Sequence, residues 1–310
     1  MVRTTIAVLA VTLSVLAVIS RWSEFSADLG RVGLWRTLAS APFMLAALFA
    51  GMFAWRRVLG GLGSALPVPV ASRIYFLGQL GKYVPGSLWP FLAQMELGRD
   101  HAVPRRRSVV ALVIAVVISL ATGLALAGLS VPLLPAHYRD TLWMLILPVP
   151  FLVALLHPRI LWALLRRVPR LRLVDGIAAP RLSSMLVASA WSVAGWFLFG
   201  LHISVLVLAF HPKHLLMVVA VSVGGYALAW CAGLVVFILP AGAGARDLAL
   251  VAGLSAVVPA RAALAVAVIT RVVTTFCDLS LAGLAMLGAR PALARAKARQ
   301  VVPEEELVAA

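Results

Sequence analysis

Runs of about 20 apolar residues recur throughout the chain, and a helix of that length spans the hydrocarbon core of a bilayer. The clearest run, Ser108–Leu129, contains no charged side chain. Overall, 63% of the residues are hydrophobic and 12% are charged, whereas soluble domains average about 45–50% apolar and about 25% charged residues. The sequence therefore predicts an all-α polytopic membrane protein in which residues 1–310 form a single membrane domain.

We expect about eight transmembrane elements from the lengths of these runs. The first, Thr4–Ser20, follows Arg3 and lacks a small-residue cleavage site at its end, so we interpret it as an uncleaved helix rather than a signal peptide. Thr141–Leu156 contains Pro148 and Pro150 and is expected to be kinked. Further apolar elements are predicted at Leu34–Ala54, Ser108–Leu129, Ser184–Ala209, His214–Ile238, Asp247–Val258 and Ala262–Gly288.

Two breaks rich in glycine and proline interrupt the apolar segments, at Gly81–Pro90 and at Leu239–Asp247. Pro85 and Pro240 are 155 residues apart, and further glycines and prolines keep the same spacing. Such paired interruptions indicate a repeated transporter-type fold with two re-entrant hairpins, and chance similarity between two apolar stretches is the alternative. The predicted boundaries are about 1–135 for the first repeat, about 136–290 for the second and 291–310 for a charged tail.

The net charge of +16 comes from basic residues in the connections between apolar segments. The loop His157–Arg181 has six arginines against one aspartate, and Arg105–Arg107 precede a span. The positive-inside rule places these connections and both termini in the cytoplasm and the chain in the cell membrane. The two repeats are then inverted, and their hairpins enter from opposite faces. Because no basic folded face with base-reading groups is visible, we expect no nucleic-acid partner.

Ionisable residues inside apolar segments are the candidates for function, because a charge at membrane depth is costly. Exposed backbone N–H groups of the glycine-rich break next to Arg246 could bind a lipid phosphate, or Asp247 could cap the next helix while Arg246 neutralises it. Arg271 and Asp278 lie two helical turns apart on one face, so each needs a partner elsewhere, either a cavity or an interhelical salt bridge. We expect these four residues to converge with Lys82 around a polar cavity.

Short motifs around both breaks carry a family resemblance. They are Arg73–Phe76, Gly81–Gly86, Gln94–Arg99 and Pro240–Asp247. Together they resemble the transmembrane region of the lysylphosphatidylglycerol synthase family, and Arg271 also fits its pattern. The family's Pro-Gly-Gly-x-Gly-x-Arg-Glu element is altered here at Ala241 and Asp247. The resemblance covers nearly the whole chain and implies a flippase-like module that moves a lipid between leaflets. Full-length members add a soluble aminoacyl-transfer domain, for which 310 residues leave no room, so we do not expect lipid aminoacylation.

The predicted substrate-binding residues surround the two breaks. They are Arg73, Lys82, Tyr83, Pro85, Gly86, Glu96, Gly242, Gly244, Arg246, Asp247, Arg271 and Asp278. The expected ligand is a membrane lipid that is anionic or bears a phosphate. The sequence contains no nucleophile elbow, P-loop, HExxH motif or paired carboxylates, so we expect no catalytic residue, metal or cofactor. Cys231 and Cys277 are interpreted as buried small hydrophobic residues.

Three functions are compatible with these features, of which lipid translocation or lipid-substrate transport is favoured. A membrane scaffold that presents lipid to a separately encoded transferase is the main alternative, and a homo-oligomer is open in both cases. An intramembrane enzyme acting on an isoprenoid or a phospholipid is the third. A buried polar cavity between the hairpins favours transport, whereas a groove open to one side favours the partner function.

Overall fold

The computed structural model describes residues 22–83, 89–167, 174–235 and 244–300, with side chains for 26–83, 89–167, 174–234 and 244–288. All regular secondary structure within these ranges is helical, as the sequence predicts. The α-helices are α1 (Trp22–Gly61), α2 (Val68–Gln79), α3 (Trp89–Arg99), α4 (Arg105–Ser130), α5 (Ala136–Leu142), α6 (Val149–Leu155), α7 (Pro158–Arg166), α8 (Leu182–Val207), α9 (Leu215–Val235), α10 (Ala245–Leu254) and α11 (Ala260–Gln300).

Within the described residues, five helices are long and apolar enough to cross a membrane. Their bounds are Ser26–Gly61, Arg105–Leu133, Leu182–Phe210, Leu215–Leu234 and Ala260–Gly288. The prediction of about eight spans is therefore matched only in part. The predicted span Thr4–Ser20 lies outside the described residues. Helices α2, α3 and α10 have 12, 11 and 10 residues, whereas a crossing needs about 20.

Two predicted segments differ in detail from the expectation. The kink expected in Thr141–Leu156 is a full break near Pro148, where the halves meet at 41° and count as a sixth span only if taken together. Proline removes a backbone donor, which is tolerated in the first turn of α6 but not inside a longer helix. The basic loop His157–Arg181 contains α7, whose apolar side packs into the core through Leu161 and Trp162.

Helices α1 and α8 form an antiparallel pair through the middle of the bundle. Near one end of the contact, Nδ1 of His202 lies 3.1 Å from the carbonyl oxygen of Ser40. Near the other end, the rings of Phe53 and Trp191 lie 4.9 Å apart. The early residues of α1 therefore lie beside the late residues of α8, so the two helices run in opposite directions.

Each break is followed by a short helix that packs back against the helix before it. Helix α3 packs on α2, and α10 packs on α9. Helix α11 lies against both α2 and α10. The described parts of the chain thus form two helical hairpins, α2–α3 and α9–α10, and α11 contacts both of them.

Helix bounds and helix packing repeat along the chain at the spacing of 155 residues found in the sequence. Helices α4 and α11 begin at Arg105 and Ala260, and α3 and α10 end at Arg99 and Leu254. One pair of helix contacts also matches between the two halves of the chain: α4 packs against α9, and α11 packs against α2. Two pairs of helix bounds and one pair of helix contacts therefore match the spacing of 155 residues.

Contacts at the ends of helices define two ends of the bundle. At one end, Arg107 donates a hydrogen bond of 3.2 Å to the carbonyl oxygen of Gly63. At the other end, Nε of Arg261 lies 3.4 Å from the buried carboxylate of Asp28. The first end, called here the arginine-rich end, carries Arg56, Arg57, Arg99, Arg105–Arg107 and α7.

Gly200 permits the close approach of α8 and α9. A Cβ atom at this position would lie 2.9 Å from the Cα atom and 3.0 Å from the backbone nitrogen of Val223. We expect Gly200→Ala to lower the melting temperature of the detergent-purified protein, followed by circular dichroism, because overpacking costs about 1–3 kcal/mol. Gly283→Ala is the matched control, since its Cβ would meet no atom within 4 Å. Equal melting temperatures for the two variants would contradict this account.

Candidate functional site: a charged cluster at the middle of α11

Helix α11 carries two ionisable side chains near the middle of its apolar segment. That segment, Ala260–Gly288, is centred on Thr274. Arg271 and Asp278 are three residues before and four residues after this centre, about 4.5 and 6 Å along the helix axis. An unpaired charge near the bilayer centre costs at least about 2.5–3.5 kcal/mol. Each residue therefore needs a partner, and the structure gives each a different one.

Asp278 is paired with the end of the first hairpin. Its side chain is 1% exposed. The 3₁₀ turn Leu80–Tyr83 places two donors beside Oδ2 of Asp278, and both the Nζ of Lys82 and the hydroxyl of Tyr83 lie 2.6 Å from it. Oδ1 of Asp278 has no hydrogen-bond partner within the described residues. This ion pair fastens the first hairpin to α11.

Arg271 is paired with the start of the second hairpin's short helix. Its Nη2 donates to both carboxylate oxygens of Asp247, at 3.0 and 2.9 Å, and its Nε donates to Oδ1 at 3.1 Å. The same carboxylate accepts the backbone N–H of Gly244 at 3.1 Å and so caps α10. Gly244 has φ +83, a conformation that side chains rarely adopt. Asp247 therefore both caps α10 and fastens it to α11.

Arg246 has an aromatic partner instead of an acidic one. Its guanidinium lies 4.7 Å from the centre of the Tyr226 ring and donates a hydrogen bond to the Tyr226 hydroxyl. No carboxylate lies within salt-bridge distance of Arg246 in the parts of the chain that the structure describes. The alternative in which Arg246 neutralises Asp247 is therefore wrong, because Arg271 takes that place.

These contacts surround one polar cavity between the two hairpins and α11. The cavity has a volume of about 20 Å³, enough for about one water molecule. Its lining consists of Lys82, Tyr83, Tyr226, Arg246, Asp247, Leu250, Ala267, Thr270, Arg271, Thr274 and Thr275. The expected clustering of Arg246, Asp247 and Arg271 with Lys82 is therefore observed, and Asp278 joins the cluster through Lys82.

Other residues predicted for the site lie elsewhere. Glu96 is exposed at the arginine-rich end, where it pairs with Arg99 and Arg105 at 3.0 Å each. Arg73 is not among the lining residues; it lies near His101, whose pKa is lowered by burial and further by the positive charge of Arg73. Sequence proximity to the first break does not bring Glu96 or Arg73 to the cavity, since both side chains point away along α3 and α2. Pro85, Gly86 and Gly242 lie outside the described residues.

Tyr226 contributes to the cluster without having been predicted. Its side chain is buried in α9, where its ring also contacts Phe199 at 4.7 Å and Trp196 at 6.3 Å. The available signal was weak: Tyr226 is a polar aromatic residue inside an otherwise apolar span. Buried tyrosine hydroxyls usually have a hydrogen-bond partner. This rule predicts a polar partner for Tyr226 but does not identify that partner as Arg246.

The chemistry of the cluster suits an anion. Lys82, Arg246 and Arg271 bring donors to the cavity, while Asp247 and Asp278 are each engaged by one of these cations. Among the described residues, no three His, Cys, Asp or Glu side chains lie together as they would around a metal ion. Cys231 and Cys277 are free and buried. An arginine without an acidic partner is well suited to bind a phosphate group.

The pairing of Lys82 with Asp278 can be tested by stability measurements. We expect Lys82→Met to lower stability strongly, because removing one partner of a buried ion pair costs about 3–5 kcal/mol. The double variant Lys82→Met/Asp278→Asn should recover most of that loss, since no unpaired charge remains. Thermal unfolding in detergent measures both effects. If the second substitution recovers nothing, the pair does not contribute in this way.

The comparison with protein families gives one match. The model of the family described as the lysylphosphatidylglycerol synthase TM region matches residues 5–282. No curated protein matches the chain. The matched region contains both hairpins and every residue of the charged cluster, and the resemblance inferred from the motifs is confirmed. Because the match covers nearly the whole sequence, the chain belongs to the lysylphosphatidylglycerol synthase TM region family.

Proposed function

We propose that this protein moves a phosphate-bearing lipid between the leaflets of the cell membrane and that the charged cluster binds its headgroup. The observation that carries the proposal is the polar cavity at the middle of α11, where three cations face two carboxylates. A lipid headgroup that crosses the apolar core loses its hydration, and side chains that bind it at mid-depth lower that barrier. The activity proposed is transport, not catalysis.

Arg246 is the residue proposed to contact the lipid phosphate first. Its present partners are the ring and the hydroxyl of Tyr226. Exchanging them for a phosphate leaves no carboxylate without a partner. Moving Lys82 would instead leave Asp278 without its cation, and moving Arg271 would leave Asp247 without its cation. An unpaired buried charge is costly. The planar guanidinium also matches phosphate geometry with two parallel hydrogen bonds.

Two inverted repeats are part of the proposal. Helices α1 and α8 correspond at the spacing of 155 residues, and they pack antiparallel. A two-fold axis that relates antiparallel spans lies in the membrane plane, whereas an axis along the membrane normal relates parallel spans. Under the in-plane axis, the hairpins α2–α3 and α9–α10 enter from opposite faces and meet α11 near its middle.

Movement of the hairpins is the proposed transport step. The cavity of about 20 Å³ holds about one water, so a headgroup enters only when a hairpin separates from α11. The pair Lys82–Asp278 fastens the first hairpin, and the pair Asp247–Arg271 fastens the second. Release of one hairpin at a time would open the cavity to one face and keep it closed to the other, which is alternating access.

The role of Arg246 can be measured by lipid scrambling in vesicles. We expect Arg246→Gln to lower the rate at which a fluorescent phospholipid in proteoliposomes becomes accessible to external dithionite. The reduction should be about tenfold or more, because hydrogen bonds to charged groups contribute about 1.5–3 kcal/mol. Arg139→Gln is the control, since Arg139 is exposed and distant from the cavity.

Equal rates for wild type and Arg246→Gln, at equal protein insertion, would refute the headgroup site. Absence of translocation by the wild-type protein, combined with retained lipid binding, would instead favour a scaffold that presents lipid to a transferase.

The proposal also places the arginine-rich end and both termini in the cytoplasm. Single cysteines can test this, because the native Cys231 and Cys277 are buried and give little background labelling. In intact spheroplasts, we expect a membrane-impermeant maleimide to label Asp140→Cys, which lies at the opposite end. Arg166→Cys on α7 should react only after permeabilisation. Labelling of Arg166→Cys in intact spheroplasts would reverse the orientation.

A further inference from the structure

The charges of the cluster point to the class of lipid that the site accepts. We infer that it selects a lipid headgroup with one net negative charge, such as a phosphodiester with an otherwise neutral headgroup, over zwitterionic and doubly charged headgroups. This inference rests on the proposed function for its biological meaning, but it concerns equilibrium binding and can be tested without transport.

The cluster has one positive charge more than it has negative charges. Lys82, Arg246 and Arg271 are basic, and Asp247 and Asp278 are acidic. The five form one electrostatic unit, because Lys82, Arg246, Asp247 and Arg271 line the same cavity and Asp278 pairs with Lys82. A proton passed from Lys82 to Asp278 leaves the sum unchanged, so the surplus does not depend on where that proton resides.

No neighbouring segment offsets the surplus. The segments that follow Tyr83 and precede Gly244, residues 84–88 and 236–243, contain no Asp, Glu, Lys, Arg or His. Glu96 pairs with Arg99 and Arg105 at the arginine-rich end, and Asp28 pairs with basic residues at the opposite end. Among the side chains that the structure describes, the excess charge therefore belongs to the cavity.

The position of the excess positive charge, near the centre of an apolar span, makes the cavity selective among lipid headgroups. The cluster surrounds the centre of an apolar span, where the low dielectric strengthens charge interactions and makes any net charge costly. One negative charge brings the occupied site to neutrality. A zwitterionic headgroup leaves one positive charge, and a phosphomonoester, which carries about −1.5 to −2 at neutral pH, leaves excess negative charge.

The test compares three lipids with identical dioctanoyl chains on the full-length protein in a neutral detergent. Phosphatidylglycerol carries one negative charge, phosphatidylcholine is zwitterionic, and phosphatidate is a phosphomonoester. Native mass spectrometry titrations give the three affinities. We expect phosphatidylglycerol to bind about tenfold or more tightly than either of the others, because one unit charge within about 10 Å is worth at least that factor.

Charge variants make the test specific to the cluster. Arg246→Gln removes the surplus, so the preference for phosphatidylglycerol over phosphatidylcholine should disappear. Asp247→Asn and Asp278→Asn each raise the sum by one charge, so both should shift the preference toward phosphatidate although they break different ion pairs. Arg139→Gln, at an exposed position outside the cavity, leaves the charge of the cluster unchanged and should keep the wild-type order of affinities. Thermal unfolding confirms that each variant is folded.

The inference is overturned if the wild-type protein binds phosphatidylcholine or phosphatidate as tightly as phosphatidylglycerol. It is also overturned if Asp247→Asn and Asp278→Asn move the preference in different directions. Failure of translocation with the expected order of affinities would count against the proposed function alone. Translocation without charge preference would count against this inference alone.

Discussion

The need to pair charges at the middle of α11 determines how the hairpins pack. Arg271 and Asp278 lie near the centre of an apolar span, where an unpaired charge is costly, and they are too far apart on the helix to neutralise each other. Each therefore binds an oppositely charged residue from a different hairpin, Asp247 in one case and Lys82 in the other. The same ion pairs that satisfy α11 also fasten both hairpins to it beside the cavity.

The two charged residues near the middle of α11, Arg271 and Asp278, have no charged counterparts at the spacing of 155 residues. At the spacing of 155 residues, Arg271 and Asp278 correspond to Val116 and Gly123 in α4. At Gly123, a Cβ atom would lie 3.0 Å from the ring of Trp196, so aromatic packing fills this part of the first half. At these positions α4 therefore provides apolar packing where α11 provides charges, and the first hairpin contributes Lys82 to the cluster. In the part of the chain that the structure describes, the five charged side chains meet at the polar cavity between the two hairpins.

The sequence predicts the helical class, the two breaks and most of the charges that meet at the cavity. These predictions succeed because a buried charge is rare in an apolar segment and needs a nearby partner, which restricts the arrangements open to the chain. The assignment of partners is not predictable in the same way. Arg246 and Asp247 are adjacent in sequence, yet α10 directs them to Tyr226 and Arg271 respectively. Glu96 is close to the first break but extends to exposed arginines instead.

The sequence by itself determined that this chain is a helical membrane protein of a recognisable family, because hydrophobic length and short motifs are local properties of the chain. Only the tertiary structure decided which cation of the cluster lacks an acidic partner, how small the cavity is and that Tyr226 takes part. Those features depend on contacts between residues far apart in sequence, and Tyr226 meets Arg246 only because α10 folds back on α9. Packing, not local pattern, sets such contacts.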